Sequence, residues 1–317
     1  MEFKQNKVFG LVSVIAKNSS WNSDFNHSPK KYDDTFFASD RALKYAVRNL
    51  MEQMGKKLLI KKWVKGIKDD RKVSMIDVMT SNELKKSIKE EYGKDFNKMF
   101  WEFEDVRQFG MVYDGIGIHG PVQISQGIDK YGLGVTYEDD LTGRMVFESK
   151  ADSSKETRGM ASREFLTEAH YIYDFSVNPK NVAFLKEIEG YESFGYTEDD
   201  FETLLEGLQY GPANVKSTQK LNCFTGFMMY VEMNDGENTL LSNLQGKIKL
   251  ESEKLEEDVV VYDISNLVSY LKNKQDAAGQ SIYKKIQVVY EKSEVEIKGL
   301  NEINESDLSN VLEVEVL

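Results

Sequence analysis

The sequence has few of the residues that build disulfides, metal sites or flexible linkers. Its 317 residues include one cysteine, three histidines and four prolines. Cys223 has no partner for an internal disulfide, and its apolar neighbours predict a buried thiol. No histidine is spaced from another, or from the cysteine, as zinc ligands are; the three are His27, His119 and His170. We therefore expect no metal, no cofactor and no catalytic residue.

The chain also lacks the long apolar runs of membrane proteins. No run approaches the roughly 18 residues that a membrane-spanning helix needs. The opening MEFKQNKVFG does not have the shape of a signal peptide. A hydrophobic content of 40% is enough for a sizeable core, and no proline-rich or serine-rich linker divides the chain. We expect a cytoplasmic protein with no membrane partner, built as one core with insertions.

Charge is distributed unevenly along the chain. The net charge of −12 argues against a general nucleic-acid binder. Residues 1–72, however, contain 16 lysines and arginines against 8 acids, a balance of +8 that leaves −20 for the rest. Within them, the stretch 56–72 has eight cationic residues around Trp63, which suits a surface that meets phosphate. A solvated helix face would give the same pattern.

The stretch DGIGIHGPVQ, residues 114–123, matches the nucleotide-binding pattern G-x-G-x-x-G. A dinucleotide site needs a helix after the glycines, but Pro121 and the alternating VQIS predict a strand there, and kinase motifs are missing downstream. We instead predict a glycine-rich hairpin. Gly115, Gly117 and Gly120 would let its backbone approach a nucleic-acid strand closely, although a plain tight turn would also need them. The residues expected on one face of this hairpin are Ile116, Ile118, Val122 and Ile124.

The N-terminal region reads as a strand, a polar loop and a helix. The strand is expected at 7–17 and the loop at 18–34, and the helix should run from the N-cap Ser39 to about Met54. Its expected apolar stripe consists of Leu43, Ala46, Val47, Leu50 and Met54. Three cations recur at three- and four-residue spacing, so they should share the outward part of the helix surface; they are Arg41, Lys44 and Arg48.

The rest of the chain alternates between helices and strands. A helical insertion is expected at 61–104, with Thr80 or Ser81 as a cap, and a loose polar stretch at 132–159. The further expected strands are EAHYIYDFSV (168–177), NCFTGFMMYVEM (222–233), DVVVYD (258–263) and YKKIQVVYEKSEVEIK (283–298). The further expected helices are one capped by Thr197 and one at 265–275. This order predicts an α+β sandwich of the ferredoxin or RNA-recognition-motif type.

Several of these segments together resemble the repeated backbone subunit of type I CRISPR Cascade complexes, CRISPR-associated protein family seven, and most closely its type I-B branch. The resemblance is carried by the order and spacing of short segments over about 200 residues. They are the asparagine-rich loop 18–22, SDRALKYAVRN (39–49), DVRQFG (105–110), GPVQIS (120–125), RGM (158–160), YTEDDFETLLEGL (196–208) and NVKSTQK (214–220).

The resemblance implies a non-catalytic protein that holds a guide RNA in several copies and supports its pairing with target DNA, in antiviral defence. The implied partners are the CRISPR guide RNA, the paired target DNA, other copies of the chain and other Cascade subunits. The implied architecture is a palm of 1–60 and 105–317, similar to an RNA-recognition motif and bearing thumb-like loops, with a helical finger at 61–104. The implied RNA-binding residues are Arg41, Lys44, Arg48, Asn18, Asn22, Gln123, Ser125, Gln126, Arg158, Met160, Lys216, Ser217 and Lys220.

The chain departs from the family pattern at two places. Trp21 stands where a proline is common, and QGID (126–129) lacks the usual arginine and serine. Two other functions also remain open. A metal-dependent, RNA-guided ribonuclease could use aspartates of the 18–34 loop, where Asp24, Asp33 and Asp34 lie, if acids converged from several elements. A protein-only scaffold would leave the helix cations without a ligand.

Overall fold

The fold comes from a computed structural model, which describes residues 2–70, 73–93, 96–113, 116–144, 158–188, 190, 194–215, 217–251, 258–274, 281–304 and 306–317. The helices are α1 Asp40–Gln53, α2 Ser81–Tyr92, α3 Phe96–Glu102, α4 Glu104–Phe109, α5 Glu198–Tyr210, α6 Ser265–Lys272 and α7 Leu300–Asn304. The strands are β1 Val8–Ser19, β2 Lys31–Tyr32, β3 Thr35–Ala38, β4 Val64–Asp70, β5 Val73–Val78, β6 Gly110–Tyr113, β7 Ile116–His119, β8 Val122–Ile124, β9 Gly127–Asp129, β10 Thr136–Arg144, β11 Arg158–Val177, β12 Cys223–Met233, β13 Lys249–Leu250, β14 Val260–Asp263, β15 Tyr283–Tyr290, β16 Val295–Lys298 and β17 Leu312–Val316.

A large mixed sheet organises the molecule. Its strand order is β17-β15-β12-β1-β11-β9-β3-β2, and β8 and β10 also pair with β11. β1 lies between β11 and β12 and is antiparallel to both. The sheet and its helices confirm the predicted α+β class. Among the described residues, no helix is long and apolar enough to cross a membrane.

Hydrophobic cores cover both faces of this sheet. On one face, Val12 and Ala16 of β1 pack in a core with α1 and α5. On the other face, Leu11 and Ile15 pack in a core with α6 and with the small sheet β13-β14-β16. A strand buried on both faces is apolar almost throughout, which explains the near-continuous run of β1. Cys223 is buried, as its apolar neighbours predicted.

Capping residues and apolar spacing predicted the positions of α1, α2 and α5 correctly. Thr197 and Asp200 form a capping box before α5, and Thr80 forms one with Glu83 before α2. Ser39 is the N-cap of α1, but its side chain makes no capping hydrogen bond. The buried side of α1 consists of Leu43, Ala46, Val47 and Met51. Met54 was wrongly placed on it, because it follows the last turn and is exposed.

Two predictions about strands are wrong, and a segment predicted as mostly helical also contains strands. The loose stretch predicted at 132–159 contains a long hairpin of β10 and β11, with Thr136 opposite Leu166 and Arg144 opposite Arg158. The single strand predicted at 283–298 is two strands in different sheets, because the polar residues Glu291–Glu294 form a turn. The segment 61–104 contains the hairpin β4–β5 in addition to α2 and α3.

The predicted glycine-rich hairpin uses different strands. β7 pairs with β6, whereas β8 joins the large sheet beside β11, so the expected apolar face running from Ile116 to Ile124 does not form. Gly115 lies outside the described residues. At Gly120 the backbone packs directly on the backbone of residues 108–110, so this glycine is required by contacts within the protein.

This contact gives a testable consequence for stability. A methyl group on Gly120 would lie 2.4 Å from the carbonyl oxygen of Gln108 and 2.4 Å from the nitrogen of Gly110. We expect Gly120→Ala to lower the free energy of unfolding, measured in urea, by about 1–3 kcal/mol. The control is Gly117→Ala, whose methyl group would meet only Val112, at 3.7 Å. Equal stabilities of the two variants would show that the close approach has no energetic consequence.

Candidate nucleic-acid interface

The two loops to which the resemblance assigns guide contacts lie against each other. The N–H of Ser20 donates to the carbonyl of Gln219 at 2.7 Å, and the ammonium of Lys220 donates to the carbonyl of Trp21. Trp21, which replaces the family's proline, is buried and donates its indole N–H to the Tyr173 hydroxyl at 2.7 Å. The fold therefore brings segments 200 residues apart into one surface.

The N-terminus of α1 joins the same surface. Asn22 Oδ1 accepts hydrogen bonds from the backbone N–H of Ser39 at 2.8 Å and from its hydroxyl at 3.0 Å. Directly before Ser39, Ala38 of β3 pairs with Gly127 of β9, and Gln126 is exposed beside it. We call this continuous surface the candidate interface: residues 18–22, 217–222, 126 and the first turns of α1.

The three cations of α1 do not share one environment. Arg41 is exposed and pairs with no acid in the described part of the chain. Lys44 is largely buried, and its ammonium lies 2.9 Å from the carboxylate of Asp40. Arg48 leaves only 14% of its side chain exposed, so its predicted outward position is wrong. The spacing of the cations correctly predicted that they lie on one side of α1. It could not reveal that α4 covers one end of that side.

Arg48 belongs to a buried polar cluster instead. Its Nε donates to Asp105 Oδ2 at 3.1 Å, and its guanidinium lies over the Phe109 ring. Burial lowers the pKa of Arg48, although the charge and hydrogen bond of Asp105 oppose this effect. The Asp105 carboxylate also accepts hydrogen bonds from the N–H groups of Leu59 and Ile60, at 2.8 and 3.0 Å. Asp105 thus ties α1 and the chain at 59–60 to α4.

The rest of the DVRQFG segment makes further contacts within the protein. The Arg107 guanidinium donates to Asp200 Oδ1 of α5 at 2.8 and 2.9 Å, and the Tyr196 hydroxyl donates to Gln108 Oε1 at 2.8 Å. Burial raises the pKa of the neighbouring Glu104 to about 7. The resemblance located this segment, but the sequence contained no signal for these partners. Its observed role is to hold α4 between α1 and α5.

Lys220 is the cation best prepared to receive an anion. Burial lowers its pKa, and no carboxylate pairs with it among the described residues. Its ammonium contacts one carbonyl and lies 5.2 Å from the centre of the Trp21 ring, so donor capacity remains. The neighbouring Gln219 Nε2 is buried and has no hydrogen-bond partner in the described chain. Sequence reasoning missed Gln219, although it lies inside a segment that the resemblance singled out.

The remaining assigned residues differ in their availability. Asn18 is exposed with φ 46°, and Ser217 is half-buried. Gln123 is exposed, but its amide donates to the Gly120 carbonyl at 3.0 Å. The Ser125 hydroxyl already has three hydrogen-bond partners within the protein. It donates to the Gln126 carbonyl and accepts from the backbone N–H of Asp174 and the side-chain amide of Gln245. Arg158 and Met160 lie at the start of β11 in the β10–β11 hairpin, and Lys216 lies outside the described residues.

Four lysines of the basic stretch 56–72 form ion pairs with acids. Lys57 lies 2.6 Å from Glu102, and Lys65 lies 2.5 Å from Glu83. Further ion pairs join Lys56 to Asp199 and Lys61 to Glu52. The phosphate-binding surface predicted there is therefore not supported for these four lysines, and the solvated alternative describes them better.

The acids and histidines are dispersed over the described residues. Asp24 uses Oδ1 to accept the N–H groups of Asn26 and Ser28, at 2.8 and 3.1 Å, and so fixes a turn. His170 is buried between the Tyr262 hydroxyl and Glu168. In the described chain, no three His, Cys, Asp or Glu residues come together as metal ligands would.

A comparison with protein families supports the family to which the resemblance points. The family model for "CRISPR-associated protein Cas7" matches residues 6–293. One similar solved structure, titled "CRISPR RNA-guided surveillance complex, pre-nicking", is 12% identical, with 98% of this chain and 96% of that chain covered and a TM-score of 0.48. Another, titled "CRISPR RNA-guided surveillance complex", is 10% identical, with 96% and 94% covered and a TM-score of 0.43. A comparison with curated proteins finds no match. Since the family model spans most of its length, the chain belongs to the CRISPR-associated Cas7 family.

Proposed function

We propose that the chain is a non-catalytic, guide-RNA-binding backbone subunit of a type I CRISPR surveillance complex, of the I-B branch. Several copies would coat the guide and support its pairing with target DNA, beside other subunits of the complex. Family membership supports this role. The observation that carries it is the contact between the 18–22 loop, the 217–222 loop and the N-terminus of α1.

The chemistry of this surface suits a nucleic-acid backbone. Arg41 and Lys220 offer cations to phosphate, and the exposed amides of Asn18 and Gln126 can contact phosphate or ribose oxygens. A subunit that must hold any guide sequence should avoid reading base edges by hydrogen bonds. These residues provide contacts to the groups that every nucleotide shares.

The remaining parts of the proposed architecture are inferred from the resemblance of the sequence to this family. We interpret 1–60 and 105–317 as a palm similar to an RNA-recognition motif, and 61–104 as a finger that carries both a hairpin and helices. The β10–β11 hairpin is the thumb-like element, and Arg158 and Met160 would approach the guide from it. Lys44 would contact a phosphate after its ammonium leaves the Asp40 carboxylate.

A ribonuclease role is less favoured than a structural one. Such a role would use the Asp24 carboxylate as a metal ligand, but this carboxylate already accepts hydrogen bonds from N–H groups of its own turn. Asp33 occupies a left-handed turn position, with φ 49°, in the β2–β3 hairpin. No second element in the described chain brings further acids to these two as two-metal chemistry demands.

Assembly along RNA tests the backbone role. The basic segment 1–72 and the acidic stretch 250–259 could attract each other between copies, although 252–257 lies outside the described residues. We expect sedimentation to show that the number of protomers bound to each RNA doubles when the length of the RNA is doubled. The control is the protein without RNA. One protomer on every RNA, whatever its length, would contradict the proposal.

A further inference from the structure

The most exposed aromatic side chains of the described residues are grouped in one part of the chain. Phe25 is fully exposed, Tyr32 is 75% exposed and Tyr45 is 56% exposed. All three fall between residues 25 and 45, in the segment that leads into α1 and forms its first turns. Aromatic side chains at such positions do not stabilise the core, so their exposure needs another explanation.

Phe25 is presented by a well-ordered turn. The Asp24 N–H donates to the Ser28 carbonyl at 2.8 Å, and the Asp24 carboxylate accepts the N–H groups of Asn26 and Ser28. Ser23 and Pro29 form a β-bridge that closes the turn at its base. The backbone on both sides of Phe25 is therefore fixed. Its ring stands in solvent without the freedom of a loose loop, which lowers the entropic cost of binding a ligand there.

The three aromatic residues are connected to the candidate interface. The Lys30 N–H donates to the Asn22 carbonyl at 3.1 Å, and so joins the Phe25 turn to the residue that holds Ser39. Tyr32 lies in β2, whose partner β3 pairs with β9 beside Gln126. Tyr45 follows Arg41 by four residues on α1, which places both on the same part of the helix surface. Hydrogen bonds, strand pairing and the α1 surface thus connect the three aromatic residues to the candidate interface.

The surroundings of Phe25 favour a nucleobase over a protein as the group that covers it. The buried centre of a protein docking site is usually a contiguous apolar patch. Phe25 is instead flanked by exposed polar residues, Asp24, Asn26 and His27. Proteins that bind single-stranded nucleic acids stack the bases on individual aromatic side chains and bind the phosphate backbone with cations. An exposed ring with polar neighbours, such as Phe25, suits this kind of binding. Stacking tolerates every base, which a sequence-independent holder requires.

We propose that Phe25, together with Tyr32 and Tyr45, stacks unpaired nucleobases of the strand that the candidate interface holds. The inference rests on the proposed function, which concerns contacts to phosphate and ribose, and it proposes contacts to the bases as well.

Affinity for single-stranded RNA containing 2-aminopurine tests the stacking. We expect Phe25→Ala to weaken binding about tenfold and to reduce the quenching of 2-aminopurine fluorescence by the protein. The salt dependence of the affinity should stay unchanged, because no cation is removed. Phe25→Trp should keep the affinity, whereas Phe25→Leu, which is apolar but has no aromatic face, should lose it. Because the side chain is fully exposed, thermal unfolding of all three variants should match that of the parent chain.

The outcomes separate this inference from the proposed function. If the double variant Arg41→Ala and Lys44→Ala weakens binding but Phe25→Ala does not, stacking is wrong and the guide interface stands. If Phe25→Ala keeps the RNA affinity but prevents assembly in sedimentation, Phe25 docks on protein, which also overturns the inference. If neither change affects binding, the candidate interface itself is wrong and the inference fails with it.

Discussion

Replacing Asp105 by alanine should lower the free energy of unfolding by about 3–5 kcal/mol, the largest effect on stability that we expect in this chain. The Asp105 carboxylate is fully buried and receives three hydrogen bonds, from Arg48 and from the N–H groups of Leu59 and Ile60. Its removal leaves a largely buried guanidinium and two backbone N–H groups without their partner. Such unpaired groups cost far more than the ion pair itself contributes.

Urea denaturation measures this effect, with Asp199→Ala as the matched control. Asp199 also pairs with a cation, Lys56 at 2.9 Å, but 75% of its side chain is exposed. Exposed pairs contribute little, so the control should lose less than about 1 kcal/mol. Equal losses for the two variants would show that Asp105 does not organise α1 and α4. Since Arg48 is part of this cluster, an Arg48→Ala variant would mix a folding defect with any binding defect.

Arg48 also shows the limit of reasoning from helix periodicity. The spacing of Arg41, Lys44 and Arg48 correctly predicts that they lie on one side of α1. It contains no information about α4, which packs over one end of that side through Phe109 and Asp105. Which cation stays exposed depends on a contact between residues about 60 positions apart, and one sequence does not reveal such contacts.

Elements with strong local signals were predictable, and those without were not. α5 was found because Thr197 and Asp200 form a capping box and the inward leucines follow helical spacing. The start of β10 was missed because residues 136–139 are all exposed, so this part of the strand has no buried face to impose alternation. The 18–22 and 214–220 loops were singled out by resemblance. Their contact through Gln219 and Lys220 became visible only in the fold.

Removing the two remaining α1 cations should weaken RNA binding without unfolding the protein. Arg41 is exposed, and the Lys44 ammonium contacts Asp40 and the face of the Phe109 ring, so Arg41→Ala with Lys44→Ala leaves the buried stripe and the hydrogen bonds of Asp105 intact. Alanine also favours the helix. If each cation meets one phosphate, affinity should fall about a hundredfold for every RNA alike, because each charged hydrogen bond contributes about 1.4 kcal/mol.

The dependence of this affinity on salt, measured on two RNAs of unrelated sequence, tests the central claim most directly. For the double variant, the slope of log affinity against log salt should become shallower by about 1.4, or about 0.7 for each lost phosphate contact. The control removes two exposed cations elsewhere, with Lys86→Ala and Lys249→Ala, and should leave the slope unchanged. An unchanged slope for the double variant, or a loss confined to one RNA, would contradict a guide-binding surface at α1 that is independent of sequence.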